Sequence, residues 1–289
     1  MIASLLRRKT TGSVVCPSCG SLVGVRDDRC YTCGRSNPGL WGFAPVLRQL
    51  GADLGFVPLV VGASGILYVL TLLLSGPAIR MDGFMSFLAP STPALFLFGA
   101  SGAGPVFVYG RWWTVLSAGW LHAGLLHILF NMYNVRLFGP MTVEIIGPAR
   151  TVIVYVVAGV VGFACSSFAG AYLGWLPIPV LRGAGFTVGA SAPLFGLLGA
   201  LMHYGRTSSS LVKQQIAPYV IAFLMMGLIM PGVDNYAHAG GFLGGYAASA
   251  FMNPLTRERG DHLVVAAFCL AASFLAIVIS IVTGLRLFR

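Results

Sequence analysis

Seven long apolar stretches follow one another along the chain after residue 55, separated by short polar or glycine- and proline-containing segments. An α-helix needs about 20 mostly apolar residues to cross a hydrocarbon core of about 30 Å. We therefore predict an all-α polytopic membrane protein with seven transmembrane helices. Their approximate bounds are Phe56–Ser75, Trp112–Phe138, Thr151–Leu173, Gly189–Tyr204, Ile216–Met230, Tyr236–Met252 and His262–Leu285.

The segment between the first two predicted spans, about residues 77–111, has a different pattern. Its apolar runs, such as Ala94–Phe98, are too short to cross a bilayer, and prolines interrupt them. We predict interfacial or re-entrant structure for this segment, on the far side of the membrane from the N-terminus.

Composition agrees with a membrane protein. The chain is 57% hydrophobic and 9% charged, with a mean hydropathy of +0.84, whereas a typical soluble domain has about 25% charged residues. The formal net charge of +10 does not indicate nucleic-acid binding, because the basic residues lie at the ends of predicted helices and not in one patch. We expect the lipid bilayer as a partner and no nucleic acid.

Residues 1–50 form a separate polar unit that contains four cysteines. Cys16, Cys19, Cys30 and Cys33 have the spacing C-x2-C-x10-C-x2-C. Two such pairs are typical of a zinc-ribbon-like module, in which four thiolates close a structural zinc site. The alternative is a pair of disulfides, which a reducing cytosol disfavours. We predict a structural zinc site here; a soluble or membrane partner of the module is left open.

The basic residues also predict an orientation. With the N-terminus in the cytoplasm, most of the 18 Lys and Arg residues fall on the cytoplasmic side, as the positive-inside rule expects. Seven spans then place the C-terminus outside. We predict a multi-pass protein of a bacterial inner membrane or an equivalent membrane. The basic residues assigned to the cytoplasm are Arg7, Arg8, Lys9, Arg26, Arg29, Arg35, Arg48, Arg136, Arg150, Arg206, Lys213, Arg257 and Arg259.

Strongly polar side chains stand in three of the predicted spans. Ser191 begins the fourth span and His238 the sixth, so both enter the membrane from the external side at a similar depth. The second span contains His122, His127 and Asn131. Polar groups inside the membrane are expensive and usually functional, and this set suggests a nucleophile, a base and oxyanion donors. The alternatives are an N-cap or packing role for Ser191 and an interhelical hydrogen bond for His127.

These residues carry a resemblance to a known family. Gly189-Ala190-Ser191-Ala192, His122-x4-His127-x3-Asn131 and Ala237-His238-Ala239-Gly240-Gly241, with Gly245 after it, resemble the signatures of the rhomboid intramembrane serine proteases. The Gly241-x3-Gly245 spacing also favours close contact between two helices. The resemblance covers about residues 55–252 and implies a rhomboid-like six-helix core.

The resemblance assigns a role to each site residue. Ser191 is expected to be the nucleophile and His238 the general base, and His127, Asn131 and the Ser191 backbone N–H are expected to hold the oxyanion. The supporting residues are expected to be His122, Gly189, Phe195 and Gly241. The implied activity is a serine endopeptidase that needs no catalytic cofactor and cleaves transmembrane helices of membrane proteins near the external face.

The chain departs from the family pattern at three positions. Ala192 stands where glycine is usual, Thr114 stands where an arginine is often found, and Phe195 replaces a tyrosine that some members carry. For the Thr114 position, Arg111 is the expected substitute as an anchor of the external loop. The seventh span and the cysteine module lie outside the resemblance. We divide the chain into a module (1–50), a catalytic core (51–255) and an additional C-terminal helix (256–289).

Two other classes of function were weighed against the protease. The first is a catalytically inactive rhomboid-like protein that binds transmembrane helices; such a protein typically lacks the serine or the histidine. The second is a small-molecule transporter, which calls for inverted repeats and interrupted helices at mid-depth. The sequence has no convincing repeat, and its polar residues lie near one face.

Overall fold

A computed structural model describes residues 8–17, 19–45, 53–81, 83, 86–178, 181–230, 232–256 and 258–287. Arg7, Arg48 and Arg257, which entered the prediction of orientation, lie outside the described residues.

The described chain is mostly helical, and a small two-stranded sheet precedes the helices. The strands are β1 (Ser13–Val15) and β2 (Leu22–Gly24). The α-helices are α1 (Phe56–Ser75), α2 (Thr92–Phe98), α3 (Thr114–Ser117), α4 (Leu125–Ile146), α5 (Pro148–Leu173), α6 (Ser191–Thr207), α7 (Ser210–Ile229), α8 (Asn235–Met252) and α9 (Gly260–Leu287). Short 3-10 turns follow α1 and α3.

Four described helices, α1, α5, α7 and α9, are long and apolar enough to cross a membrane by length and composition, and a bent pair would make a fifth. The all-α membrane fold is therefore confirmed, while the count of seven spans stays a prediction. With 17 residues, α6 is about 26 Å long at 1.5 Å per residue, slightly short of the hydrocarbon thickness.

The second predicted span, Trp112–Phe138, is wrong as a single straight helix. The helical residues Thr114–Trp120 and the helix α4 meet at an angle of 91°. The cause is local: Leu121 has an extended backbone (φ −98°, ψ 156°), and Gly124, before α4, is also extended (φ 171°, ψ 169°). Four residues that are not helical therefore turn the chain before α4 begins.

Helices α5, α6 and α8 form the centre of the bundle. A Cβ atom at Gly241 would collide with the carbonyl oxygen of Ala192, and one at Gly245 with the carbonyl oxygen of Gly196. The backbones of α6 and α8 are therefore as close as small residues permit, which is how helices gain dispersion energy in lipid. A neighbouring face of α8 meets α5, where a Cβ at Gly244 would lie 2.9 Å from the Cβ of Val161.

The predicted interfacial segment folds as short pieces across one end of the bundle. It contains α2 and a π-helical turn over Gly104–Val108. Ser101 forms a two-way backbone bridge with Thr187, at 3.0 and 2.8 Å, in the connection that leads to α6. The segment is thus fastened directly beside the start of α6.

The N-terminal module is built around two tight turns. β1 pairs antiparallel with β2, with Val14 opposite Val23. Gly20 and Gly34 each follow a cysteine pair, have positive φ angles of 76° and 71°, and donate a backbone hydrogen bond to Cys16 and Cys30, at 3.0 and 2.8 Å. Each pair of cysteines is therefore curled onto a turn, as the spacing predicts.

Candidate active site

Ser191 is the first residue of α6, and the residues before it fix its position. Gly189 has φ +138°, a conformation that favours glycine, and its N–H donates to the carbonyl of Ala118 at 3.0 Å. A Cβ atom at position 189 would lie 2.7 Å from Cε1 of His127. Glycine is therefore required here for the backbone angle and for the close approach of the His127 ring.

His238 lies in the first turn of α8, which begins at a defined cap. The Asp234 carboxylate accepts from the Ala237 N–H at 3.0 Å, and the His238 N–H donates to the carbonyl of Asp234 at 3.1 Å. Asp234 also accepts from the Ser166 hydroxyl on α5 at 2.5 Å. The cap thus joins the start of α8 to α5 and holds His238 at a fixed depth.

The structure brings Ser191 and His238 together, although 47 positions separate them in sequence. Ser191 Oγ and His238 Nε2 are 2.9 Å apart, within hydrogen-bond distance. His238 is 5% exposed. Its ring stacks on Phe195, with centroids 4.3 Å apart and planes at 17°. One face of the imidazole is therefore held by α6, the helix that also carries the serine.

No side chain among the described residues forms a hydrogen bond with the other ring nitrogen of His238. His238 Nδ1 is buried and has no hydrogen-bond partner within the part of the chain that the structure describes. A Ser-His-Asp triad would place a carboxylate there. The arrangement is a dyad, in which the Phe195 stack and the helix cap take over the orientation of the ring.

His127 presents a donor toward the serine. Its Nδ1 accepts from the N–H of Ala123 at 3.3 Å. In the neutral ring the proton is then on Nε2, and Nε2 lies 2.8 Å from the position that a Cβ atom at residue 189 would take. The Nε2–H therefore faces the turn that immediately precedes Ser191.

Asn131 and His122 stand around His127. Asn131, 1% exposed, donates from Nδ2 to the carbonyl of His127 at 2.8 Å; among the described residues no hydrogen bond joins it to Ser191 or His238. His122 is fully buried, and its ring lies edge-on to His127 with centroids 5.3 Å apart. His122 thus contacts His127, and its supporting role stays a prediction.

Two residues that depart from the family pattern, Ala192 and Thr114, are both buried. Ala192 is fully buried in a cluster with Ala118, Phe163 and Ala237, and a Cβ at Gly162 of α5 would lie 3.0 Å from its methyl group. The methyl thus packs beside α5. Thr114 is also buried and donates to the carbonyl of Arg111 at 2.8 Å.

Arg111 is a buried anchor of the 77–111 segment. It is 1% exposed. Its guanidinium donates to the carbonyls of Phe96 and Ser280, each at 2.7 Å. The Cζ atom of the guanidinium lies 4.2 Å from the centroid of the Phe96 ring. Ser280 belongs to α9, and its hydroxyl accepts from Trp113 Nε1 at 3.0 Å. The last helix therefore holds the 77–111 segment in place.

Sequence reasoning missed Asp234 and Ser166. An aspartate directly before a helix is a common N-cap, so the pattern at Asp234 could have indicated its capping role. A serine within an apolar helix carries no comparable signal, and only the fold brings Ser166 to Asp234.

The four predicted zinc ligands converge. The Sγ atoms of the four cysteines all lie within 4.8 Å of one another; Cys16 and Cys33 are 3.8 Å apart and Cys19 and Cys30 are 3.6 Å apart. Tetrahedral zinc–thiolate bonds of about 2.3 Å place sulfur atoms about 3.8 Å apart, so the residues fit the metal. The Ser21 hydroxyl and then its N–H lower the pKa of Cys19 to about 6, which favours the thiolate that a metal binds.

Comparison with known proteins agrees with this geometry. A family model described as "Rhomboid domain" matches residues 109–255. The chain is 32% identical to "RHOMBOID-like protein 6, mitochondrial" of Arabidopsis thaliana over 165 residues. This alignment covers 55% of the chain and 50% of that protein. It is 28% identical over 186 residues to "Rhomboid protease GluP" of Bacillus subtilis. This alignment covers 63% of the chain and 34% of GluP.

A third relative is matched over more of its length. The chain is 30% identical over 154 residues to "Putative rhomboid protease YdcA" of Bacillus subtilis, which covers 52% of the chain and 71% of that protein. In contrast, the chain spans only about half of the plant relative and about a third of GluP.

Proposed function

Because the chain belongs to the rhomboid family, we propose that it is an intramembrane serine endopeptidase that cleaves transmembrane helices near the external membrane face. The observation that carries the proposal is the 2.9 Å contact between Ser191 Oγ and His238 Nε2 in a buried site. A serine is a weak nucleophile until a base takes its proton, and this contact provides that base.

The reaction begins with a proton transfer. His238 Nε2 takes the proton of the Ser191 hydroxyl while Oγ attacks the carbonyl carbon of the scissile peptide bond. The imidazolium then gives this proton to the leaving amine, the C–N bond breaks and an acyl-enzyme forms. Water, deprotonated by the same imidazole, hydrolyses the ester and returns the proton to Ser191. No metal or organic cofactor takes part in these steps.

Three donors are proposed for the oxyanion of the tetrahedral intermediates. The Ser191 N–H belongs to the first turn of α6, whose amides have no intrahelical acceptor and lie at the positive end of the helix dipole. His127 offers its Nε2–H, and Asn131 offers the second N–H of its amide. Preorganised donors of this kind are worth about 2.7–4 kcal/mol each in soluble proteases.

The proposed substrates are transmembrane helices that unwind readily near the external face. A stable helix uses its carbonyls in its own hydrogen bonds, so Gly, Pro or Ala near the cleavage site would favour access to Ser191. We propose α7 and the connection to α8 as the substrate gate. Only 17% of the most apolar window of α7 is buried, so this helix has few contacts to lose when it moves.

We propose that the module binds structural zinc and lies in the cytoplasm, whereas the C-terminus lies outside. The proposed location of the protein is a bacterial inner membrane or an equivalent membrane. The charge distribution and the reduced, clustered cysteines support this orientation. The domain division proposed from the sequence, with a core over 51–255 and an additional helix over 256–289, is retained.

Two readouts in lipid vesicles test the proposal. The first is cleavage of a tagged transmembrane helix with a Gly-Ala-rich external end; the second is covalent labelling by a fluorophosphonate, which reacts with activated serines whatever the substrate. We expect the wild type to be active in both assays. Ser191→Ala and His238→Ala should lose at least about 10³-fold in cleavage and should not be labelled.

His203→Ala is the matched control, because His203 bonds Ser249 at 3.1 Å through Nδ1 at the opposite end of α6 and α8. It should keep both activities. A wild type that binds the helix but neither cleaves it nor reacts with fluorophosphonate would refute the protease and support the inactive helix-binding relative. Cleavage that persists in Ser191→Ala would refute the nucleophile.

A further inference from the structure

A small cavity lies where α3, α5, α6 and α9 meet, and two residues that carry hydroxyl groups are among those that line it. These are Tyr155 of α5 and Ser273 of α9. Tyr155 is 2% exposed and Ser273 is 1% exposed. Neither hydroxyl oxygen has a hydrogen-bond partner among the described residues.

The cavity has about the size of one water molecule. It leaves about 10 Å³ for the centre of a water molecule, and a cavity needs about 10–15 Å³ by that measure to hold one water. A buried water makes about 2–4 hydrogen bonds, and each of the two hydroxyls can donate or accept one. The rest of the lining is largely apolar, with Phe163 and Pro193 among its members.

The ring of Tyr155 has no freedom to take its hydroxyl elsewhere. It packs edge-on against Phe56 at 5.4 Å and against Trp120 at 6.0 Å between centroids. Both neighbours are themselves almost fully buried. The packing therefore holds Tyr155 in the wall of the cavity, and no described group bonds its hydroxyl.

We propose that this cavity is a binding site for a single ordered water molecule, which bridges Tyr155 and Ser273 and so joins α9 to the core. The site lies outside the catalytic dyad, and its existence does not depend on the proposed protease activity.

The place of the water gives it a positioning role. The same cavity is lined by Pro193, two residues after Ser191, and by Gly119 and Gly159. A Cβ atom at either glycine would lie 3.1 Å from Pro193 Cγ, so the first turn of α6 is wedged between them. Water that fixes α5 and α9 around this wedge stabilises the turn that carries the serine.

The sign of a stability change tests the proposal. We would measure the Tm of Tyr155→Phe, Ser273→Ala and the double variant in one detergent. If water bridges the hydroxyls, each single variant leaves the water with one hydroxyl partner, so the water is lost or held more weakly and the Tm falls by about 2–4 °C. The double variant strands nothing and should lose less than the sum of the two.

Ser64→Ala is the control, because Ser64 Oγ is also buried without a partner among the described residues but does not line this cavity. Its Tm should stay equal or rise. A rise for Tyr155→Phe and Ser273→Ala as well would show that their hydroxyls are dry, and would overturn the proposal.

A crystal structure of the wild type separates the remaining outcomes. Density for one water within 3.5 Å of both hydroxyl oxygens supports the proposal. A direct hydrogen bond between Tyr155 and Ser273, or a lipid or detergent tail in the cavity, overturns it. In either of those cases the dyad assays with Ser191→Ala are unaffected, so the two proposals fail separately.

Discussion

Gly189 combines two demands that no other residue type meets together. Its φ of +138° favours glycine, and a Cβ there would lie 2.7 Å from the His127 ring. We expect Gly189→Ala to displace His127 and the N–H of Ser191. This displacement should lower kcat by a factor of about 10²–10³, the usual effect of losing one oxyanion donor. Cleavage and Tm would be measured together. Gly65→Ala, where a Cβ meets nothing within 4 Å, is the control; equal losses in both variants would contradict the argument.

Ala192 gives a prediction in the opposite direction. Its methyl packs beside Gly162 of α5 in a buried cluster, so it does not crowd the oxyanion position. We expect Ala192→Gly to keep kcat within about twofold while the protein loses about 1 kcal/mol of stability from the missing methyl and the lower helix propensity. A tenfold or greater gain in kcat on the same vesicle substrate would show that the methyl does obstruct the site.

The sequence predicted the polar residues of the site better than their contacts. Ser191 and His238 stand out because each is a polar residue near the start of an apolar span, and the structure places them 2.9 Å apart. Asn131 was expected to face the oxyanion, yet the contact observed for its amide is with the carbonyl of His127. Such contacts depend on side-chain rotamers and helix rotation, which the spacing of residues along one helix does not fix.

At the scale of elements, the sequence located most long helices within about three residues, but α7 begins six residues before its predicted start, α4 ends eight residues after its predicted end, and the bend between Thr114–Trp120 and α4 was missed. Residues 121–124 (Leu-His-Ala-Gly) contain one polar side chain and lie between apolar stretches, so hydropathy alone does not indicate a bend there. The break is a backbone event, with Leu121 extended and Gly124 before the new helix. The anchor at Arg111 was expected, but its partner in α9 was not, because no local pattern relates residue 111 to residue 280.

That anchor leads to a prediction about α9. Arg111→Met should remove the hydrogen bonds from the guanidinium to the carbonyls of Phe96 and Ser280 and free the 77–111 segment from the last helix. Two hydrogen bonds to a charged group contribute about 1.5–3 kcal/mol each, so we expect a Tm lower by at least about 5 °C and faster proteolysis within residues 77–110. Arg80→Met, in the same segment but exposed, should leave both unchanged; a similar loss there would contradict a specific anchor.

At the scale of the whole molecule, the hydrophobic core of the module and that of the helix bundle differ greatly in size. The module buries only a few residues, including Val14, Val23 and Cys16, and a core of that size does not hold a fold without a metal or a disulfide. The helix bundle has its own extended core, which runs through α1, α4, α5 and α6. The two parts should therefore respond differently to metal removal.

We expect one zinc per chain by elemental analysis, and its loss in Cys16→Ser or Cys30→Ser. Without zinc the module should become sensitive to protease over residues 8–45, because apparent zinc binding energies of about 10–16 kcal/mol account for the folding of such units. The bundle should keep its Tm and its fluorophosphonate labelling, since no cysteine ligand lies in α1–α9. Cys269→Ser, in α9, should retain the metal. A fall in the Tm of the bundle after chelation would instead show that the module stabilises the membrane core, and would refute the independence of the two parts.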